Sequence, residues 1–283
     1  MTIAVTAATG QLGTLVVDAL LARTTPDQIV AIVRDAAKAE PLAAKGVDVR
    51  IAGYDDTAAL EAALAGIDRV LLISGNEFGK RTQQHRNVID AVIANDVSRV
   101  VYTSAPQVDT STLPVAPEHL ETEQYLASTA VDHVVLRNNW YHENYASAVE
   151  TAAATGSVLT SAGDGRVASA ARQDFAEAAA VILTTDGPVK RVYELAGDVA
   201  WTHDDLAAAL SEVVGKPVSV ANVSADEQSA ILTSVGLDAG LIGFITGVDA
   251  GIKQGDLELA TGELSSLIGR PTTPIVETLR SLA

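Results

Sequence analysis

The segment Thr6-Ala7-Ala8-Thr9-Gly10-Gln11-Leu12-Gly13 has the composition of an anion-binding turn. A β-branched run, Ile3–Thr6, leads into it, and an amphipathic helical pattern over Gln11–Ala22 leads out. Glycines at such a junction let the backbone turn tightly and approach a pyrophosphate, which then rests on free N–H groups of the helix N-terminus. Thr9, Gly10, Gln11, Leu12 and Gly13 are therefore the candidate phosphate-binding residues of a dinucleotide site, a plain strand-to-helix turn being the bland alternative. Ala7 stands where the usual spacing has its first glycine; its Cβ is tolerated at negative φ and otherwise crowds the turn. The second apolar run ends in Val33-Arg34, about twenty residues beyond the last glycine, where a site selective for NAD carries an acidic residue for the ribose hydroxyls. Arg34 can instead fork onto a 2′-phosphate, and Lys38, one helical turn later, adds a point charge. This favours NADP(H), against the alternative of two solvated cations, with the adjacent Asp35 able to blunt the preference.

Other reactive groups are sparse. His119 and Glu123 share a helix face at i, i+4 and deserve consideration as a metal pair. No third ligand is near them in sequence, and His85, His133, His142 and His203 are scattered, so no metal site is assigned. His119 could donate a proton, but a packing or surface role is the simpler reading, and no catalytic residue is assigned.

These residues need a scaffold, and the first half supplies one. Apolar runs predict strands at Ile3–Thr6, Ile29–Val33, Val47–Ile51, Val70–Ser74, Val100–Thr103 and His133–Leu136, each covered on both faces. Between them the pattern predicts helices over Gln11–Ala22, Ala36–Lys45, Thr57–Ala65, Thr82–Asn95 and Glu118–Ser128. This rhythm is that of an α/β, Rossmann-type, doubly wound parallel sheet, which takes its ligand at the carboxyl ends of its strands. After Trp140 the rhythm breaks into a helix (Glu143–Ala154), a short strand, the turn Ala162-Gly163-Asp164-Gly165, a helix (Gln173–Thr184) and a strand (Val192–Leu195). Beyond Trp201 the pattern is mostly helical, with Thr202 a candidate N-cap and Pro217–Val223 a short strand. The expected division is a dinucleotide-binding domain over 1–145, its sheet completed by about 166–197, and a smaller, mostly helical substrate-covering domain over 146–283.

Composition narrows the function classes. The net charge of −17 argues against nucleic acid, where binding rests on Lys and Arg neutralising phosphates. No cysteine is present, which excludes disulfides and thiolate chemistry and suits a cytoplasmic protein. Met1–Val5 runs directly into a strand pattern, so no secretory leader is expected. The most apolar stretch, Ala239–Val248, is bracketed by Asp238 and Asp249 and suits a buried or groove-lining helix, not a membrane span.

The strand ends Ala7-Ala8-Thr9-Gly10 and Val33-Arg34-Asp35 resemble those of atypical short-chain dehydrogenases of the NmrA-like group. Gln83-Gln84-His85-Arg86-Asn87-Val88-Ile89-Asp90-Ala91 and Leu136-Arg137-Asn138-Asn139-Trp140-Tyr141-His142-Glu143-Asn144-Tyr145 sharpen the likeness. With Ala162-Gly163-Asp164-Gly165, Tyr193-Glu194-Leu195-Ala196-Gly197 and Leu267-Ile268-Gly269-Arg270-Pro271-Thr272-Thr273, the chain resembles the quinone-reducing members of that group from end to end. The resemblance implies a nicotinamide pocket built from Ser74, Gly75, Asn76 and Phe78, from Ser104, and from the segment Asn138, Trp140, Tyr141 to Asn144, with Phe78, Tyr141 and Asn144 on the quinone. For Trp140 and Tyr141, core filling is the competing role.

Typical short-chain dehydrogenases carry a Tyr-x-x-x-Lys pair on the helix after strand five; here His119 and Glu123 stand in those places, and Tyr125 is followed by Thr129. Reducing a ketone leaves an alkoxide, comparable to water at a pKa of about 15.7. Reducing a quinone leaves a phenolate, comparable to Tyr at about 10, which lowers the demand on a protein acid by on the order of 8 kcal/mol. A site without Tyr-Lys thus suits a small-molecule quinone. The same absence implies a rival within the group, a non-catalytic NADP(H)-binding redox sensor. Reductases of conjugated double bonds are a further option, and homo-oligomerisation is left open.

Overall fold

Short β-branched runs form strands and the Ala-rich segments between them form helices, in a computed structural model that describes residues 1–283. The chain opens with β1 (Ile3–Val5), α1 (Gln11–Leu21), β2 (Ile29–Val33), α2 (Glu40–Ala43), β3 (Asp48–Ile51) and α3 (Thr57–Ala63). It continues through β4 (Arg69–Leu72), α4 (Arg81–Ala94), β5 (Arg99–Ser104), α5 (Ala116–Ser128) and β6 (His133–Asn138). Next come α6 (Ala146–Thr155), β7 (Ser157–Thr160), α7 (Arg172–Thr184), β8 (Val192–Leu195), α8 (His203–Val214) and β9 (Ser219–Asn222). Four helices finish the chain: α9 (Ala225–Ser234), α10 (Ala239–Gln254), α11 (Glu263–Ile268) and α12 (Ile275–Leu282).

Seven strands make one sheet in the order β3-β2-β1-β4-β5-β6-β8. β1 lies between β2 and β4, parallel to both, with Ile3 beside Ile29 on one side and Arg69 on the other. The strand order reverses here, so the loops leaving the carboxyl ends of β1, β2 and β4 border the crevice where such sheets bind ligands.

Two expectations need correction. The helix expected over Ala36–Lys45 is a 3₁₀ turn (Ala37–Ala39) followed by one α-helical turn, α2. Pro41 is the reason: it has no N–H to give and its ring collides with the carbonyl four residues back. β3 is not covered on both faces; it is one of the two edge strands, with Asp48 and Ile51 exposed.

The chain forms two compact units, the first made of Met1–Ala105, Pro117–Asn138 and Arg172–Tyr193, the second of Pro106–Ala116, Asn139–Ala171 and Glu194–Ala283. In the first, Ala4, Val30, Ile32, Val70, Leu72, Val100 and Tyr102 join Leu60, Val88 and Ile89 in one core cluster. Their sequence neighbours Ile3, Val5, Ile29, Ala31, Leu71 and Val101 are equally buried, and alternation in a strand puts them on the opposite face. Each of the Val, Leu and Ile side chains among them contributes about 1.5–3 kcal/mol.

The second unit has its own core of Val149, Ala152, Val158, Trp201, Leu206, Leu210, Ile252 and Leu279. α8 starts at Thr202 with a reciprocal capping box to Asp205. β7 pairs with β9 in parallel. The apolar stretch noted above lies in α10, with Ile242 and Val248 buried and Leu241 exposed. No helix is long and apolar enough to cross a membrane.

Candidate functional site

The turn after β1 is tightly determined. The Gly10 N–H donates to the Ala7 carbonyl at 2.8 Å, and the Ala8 N–H donates to Ile32 at 3.2 Å. This folds Ala7 into the left-handed region at φ +48, so the condition under which its Cβ would be harmless is not met. A Cβ on Gly13 would sit 2.4 Å from the Ala7 oxygen, which reserves that position for glycine. Gly10 is the N-cap of α1 and offers no side-chain cap, so the first-turn N–H groups are not taken up by one. With the dipole of α1 behind them, Thr9 to Gly13 fit a pyrophosphate.

At the end of β2, Arg34 and Lys38 are both exposed. The Arg34 guanidinium lies 3.4 Å from a Glu77 carboxylate oxygen, and Lys80 lies 3.3 Å from the other. Sequence reading did not bring Glu77 to Arg34, because they are 43 residues apart. Lys80, then Gln84, hold the Glu77 carboxyl below its ordinary range.

The loop after β4 contains Ser74, Gly75 and Asn76. The Ser74 N–H donates to Thr103 Oγ1 of β5 at 2.9 Å. Gly75 is held at both of its peptide groups by α4: its N–H donates to Nε2 of His85 at 3.0 Å, and its carbonyl accepts from Nε of Arg81 at 2.7 Å. Because Nε2 accepts, Nδ1 carries the proton and donates to Thr122 Oγ1 at 2.9 Å, and Thr122 in turn donates to the Glu118 carbonyl. Burial first, then the Arg81 charge, pushes the His85 pKa down to about 3, which keeps this tautomer neutral. Tyr54 closes the group from the other side, donating to the Ile73 carbonyl at 2.7 Å, with its hydroxyl 2.5 Å from that of Thr6. Arg81, Gln84 and His85 are buried on α4. In sequence this segment reads as a helix and as a point of resemblance, with His85 one of the scattered histidines; its buried face is not legible there, because Arg81, Gln84 and His85 are polar and only Val88 carries the apolar signal of that face.

At the ends of β5 and β6, Ser104 donates to Glu123 at 2.5 Å, and Arg137 grips the same carboxylate at 2.6 and 3.0 Å. Glu123, standing where a lysine was expected, is thus committed to an ion pair. His119 is buried, with Nδ1 2.7 Å from the Tyr102 hydroxyl. Burial holds its pKa well below the usual histidine range, with smaller contributions from Arg81 and His85. That matches a packing role. No three His, Asp or Glu side chains converge to hold a metal ion. Phe78 is exposed, with the Arg81 guanidinium 4.9 Å from its ring centre, and Asn138 is buried at the end of β6.

The remaining candidates belong to the second unit. Trp140 is half-buried and stacks on Phe244 at 6.4 Å between centroids. Tyr141 is half-buried and makes a one-residue parallel bridge with Ala170, while Asn144 is exposed at the 3₁₀ turn His142–Tyr145. That turn precedes α6 and replaces the first turn of the helix expected from Glu143.

The fold agrees with what the chain is similar to. Quinone oxidoreductase 2 of Escherichia coli (strain K12) is 47% identical over 280 residues, covering 99% of this chain and 98% of that one. The crystal structure of the E. coli NADPH-dependent quinone oxidoreductase QOR2 complexed with NADPH superposes with a TM-score of 0.96 over 99% of each chain. The Citrobacter sp. triphenylmethane reductase complexed with NADP(H) is 35% identical and superposes at a TM-score of 0.95 over 100% of each chain. An NmrA-like family domain-containing oxidoreductase, flvB, of Aspergillus flavus is 25% identical over 98% of this chain and 94% of its own. A family model described as NAD(P)H-binding matches residues 7–186, which span the glycine turn, Arg34, the Gly75 loop and the Ser104 end of β5, and the chain belongs to that NAD(P)H-binding family.

Proposed function

We propose that this protein is an NADPH-dependent quinone oxidoreductase. The observation that carries the reading is the end-to-end similarity to E. coli quinone oxidoreductase 2, at 47% identity, together with a glycine turn whose shape fits a pyrophosphate. Thr9, Gly10, Gln11, Leu12 and Gly13 hold the phosphates on the N-terminus of α1. Arg34, with Lys38, reads the 2′-phosphate. Ser74, Gly75, Asn76, Ser104 and Asn138 position the nicotinamide half. To Trp140, Tyr141 and Asn144 of the second unit, and to Phe78, we assign contacts with nicotinamide and quinone on the sequence resemblance; the second unit is then the substrate-side domain. Bound NADPH supplies the hydride, and one proton from solvent completes the hydroquinone. No side chain of the chain is assigned as acid: His119 is held neutral and bonded to Tyr102, and Glu123 is bonded to Arg137. A cytoplasmic setting accords with a chain free of cysteine.

The test is the loss of NADPH absorbance with purified protein and a simple benzoquinone, run beside NADH and beside a triphenylmethane dye. Quinone-dependent oxidation of NADPH, faster than of NADH, is the expected result. Tight NADPH binding with no quinone turnover would overturn it in favour of a redox sensor. Turnover with the dye alone would move the substrate to that class.

A further inference from the structure

We propose that the polar face of α4 is a clamp that shapes the cofactor loop, with His85 and Arg81 as positioning residues that act through the Gly75 peptide groups. The inference rests on the reading above that Ser74, Gly75 and Asn76 receive NADPH. Both hydrogen-bonding groups of Gly75 are taken by side chains one helical turn apart: the N–H by His85 at 3.0 Å and the carbonyl by Arg81 at 2.7 Å. Residues i and i+4 share one helix face, so a single rigid element fixes both ends of this residue. Gln84 shares this face, and Asn87, three residues on from Gln84, lies farther round the helix. Gln84 donates to Asp55 at 3.1 Å and Asn87 donates to the Tyr54 carbonyl at 2.9 Å, so the loop after β3 is tied to the same helix.

The clamp is itself held from behind. Arg81 pairs with Glu118 of α5 at 2.9 Å, and His85 is fixed in one tautomer by Thr122 of α5. A helix that only packed would present apolar side chains here, since burying polar groups is costly unless each finds a partner. Arg81, Gln84 and His85 are 4%, 3% and 0% exposed, and each has a partner in a strand-end loop. Gly75 shows how close the approach is: a Cβ there would lie 3.1 Å from Oε1 of Gln84 and 3.9 Å from Nε2 of His85. A side chain at this position presses on Gln84, so either Gln84 gives by a few tenths of an ångström and strains its bond to Asp55 or the loop moves off the helix.

The experiment combines three readouts: amide hydrogen exchange at Gly75 in the cofactor-free protein, NADPH affinity by fluorescence titration, and the thermal midpoint. His85→Leu should expose the Gly75 amide to exchange and raise the Kd for NADPH by about tenfold or more, the change that goes with one lost buried hydrogen bond. His85→Gln, whose carbonyl oxygen can accept the same N–H, should restore most of both. Gly75→Ala should reproduce the affinity loss. Combined with His85→Leu it should add less than its own effect, because both displace the same peptide. If Gly75→Ala and Asn76→Ala weaken NADPH while His85→Leu stays within about twofold of the parent, the clamp is wrong and the cofactor reading stands. If neither loop variant changes affinity in a parent that binds NADPH, the loop is not the cofactor loop and the clamp falls with it. Should His85→Leu fail to fold, Thr122→Val decides: it removes the group that fixes the His85 tautomer, and unchanged Gly75 exchange with unchanged Kd in that variant overturns the proposal.

Discussion

Ala7 shows how one residue can be suspected from sequence while its state stays hidden. Its place in the glycine spacing is legible; the sign of its φ is not, because that follows from a bond to Gly10 and from the contact of Ala8 with Ile32 on another strand. With φ at +48, its Cβ carries a left-handed penalty of roughly 1–2 kcal/mol. Part of this is offset in Ala7→Gly by the greater freedom of glycine in the unfolded chain, about 0.4–1 kcal/mol. Ala7→Gly should therefore raise the thermal midpoint slightly and bind NADPH at least as well as the parent. A drop in affinity at unchanged thermal stability would mean the Cβ helps to shape the turn. Arg34 gives the second expectation. A charge-assisted bond to phosphate contributes about 1.5–3 kcal/mol, so Arg34→Ala should weaken NADPH by roughly 10- to 150-fold and leave NADH nearly untouched. Equal losses for both cofactors would remove the 2′-phosphate from the role of Arg34. Glu77 is the counterweight, since it occupies the same guanidinium and would repel the phosphate. The pair is exposed and weak, so Glu77→Gln should tighten NADPH by no more than about fivefold in titration.

At the scale of elements, the strands were legible because each is a short β-branched run between turns, and β2 and β8 fall on the expected residues throughout. α2 was not, because a helical pattern of Ala and Lys conceals the one residue, Pro41, that breaks it. α4 is the more instructive case. Its length was read to within a residue, but its buried face was not, since Arg81, Gln84 and His85 look solvent-exposed to any hydropathy pattern. Their partners lie on loops after β3 and β4 and on α5, contacts that only the fold creates. α8 is the opposite case, with local signals that agree with the structure. Thr202 caps it, and Asp205 completes the box. Thr202→Ala should cost about 1 kcal/mol in denaturant unfolding. NADPH affinity should not change with it; a parallel loss of affinity would tie the start of α8 to the cofactor.

At the scale of the molecule, two electrostatic effects oppose each other as the pH falls from 7. The net charge of −17 shrinks as groups protonate, which relieves self-repulsion and favours the folded chain. The buried histidines act the other way. Burial, then the Arg81 charge, brings His85 down to about 3, and burial brings His119 well below its usual range and lowers His203 and His133. The folded state resists protonating these rings, His85 most plainly, while the unfolded chain takes up protons near pH 6.5. Their contribution is thus complete above about pH 6.5 and is lost as the pH drops toward the folded values. For His85 alone the loss between pH 7 and pH 5 is about 2 kcal/mol. Glu77, Asp205 and Glu227, each held below its ordinary pKa by hydrogen bonds, titrate lower and leave this window to the histidines. Urea unfolding at fixed ionic strength should therefore show a midpoint that falls from pH 7 to pH 5. His85→Gln should flatten that slope even where it lowers the midpoint at pH 7, because glutamine does not titrate. A midpoint that rises on acidification would mean that relief of repulsion over the whole surface outweighs the protons excluded from the buried rings.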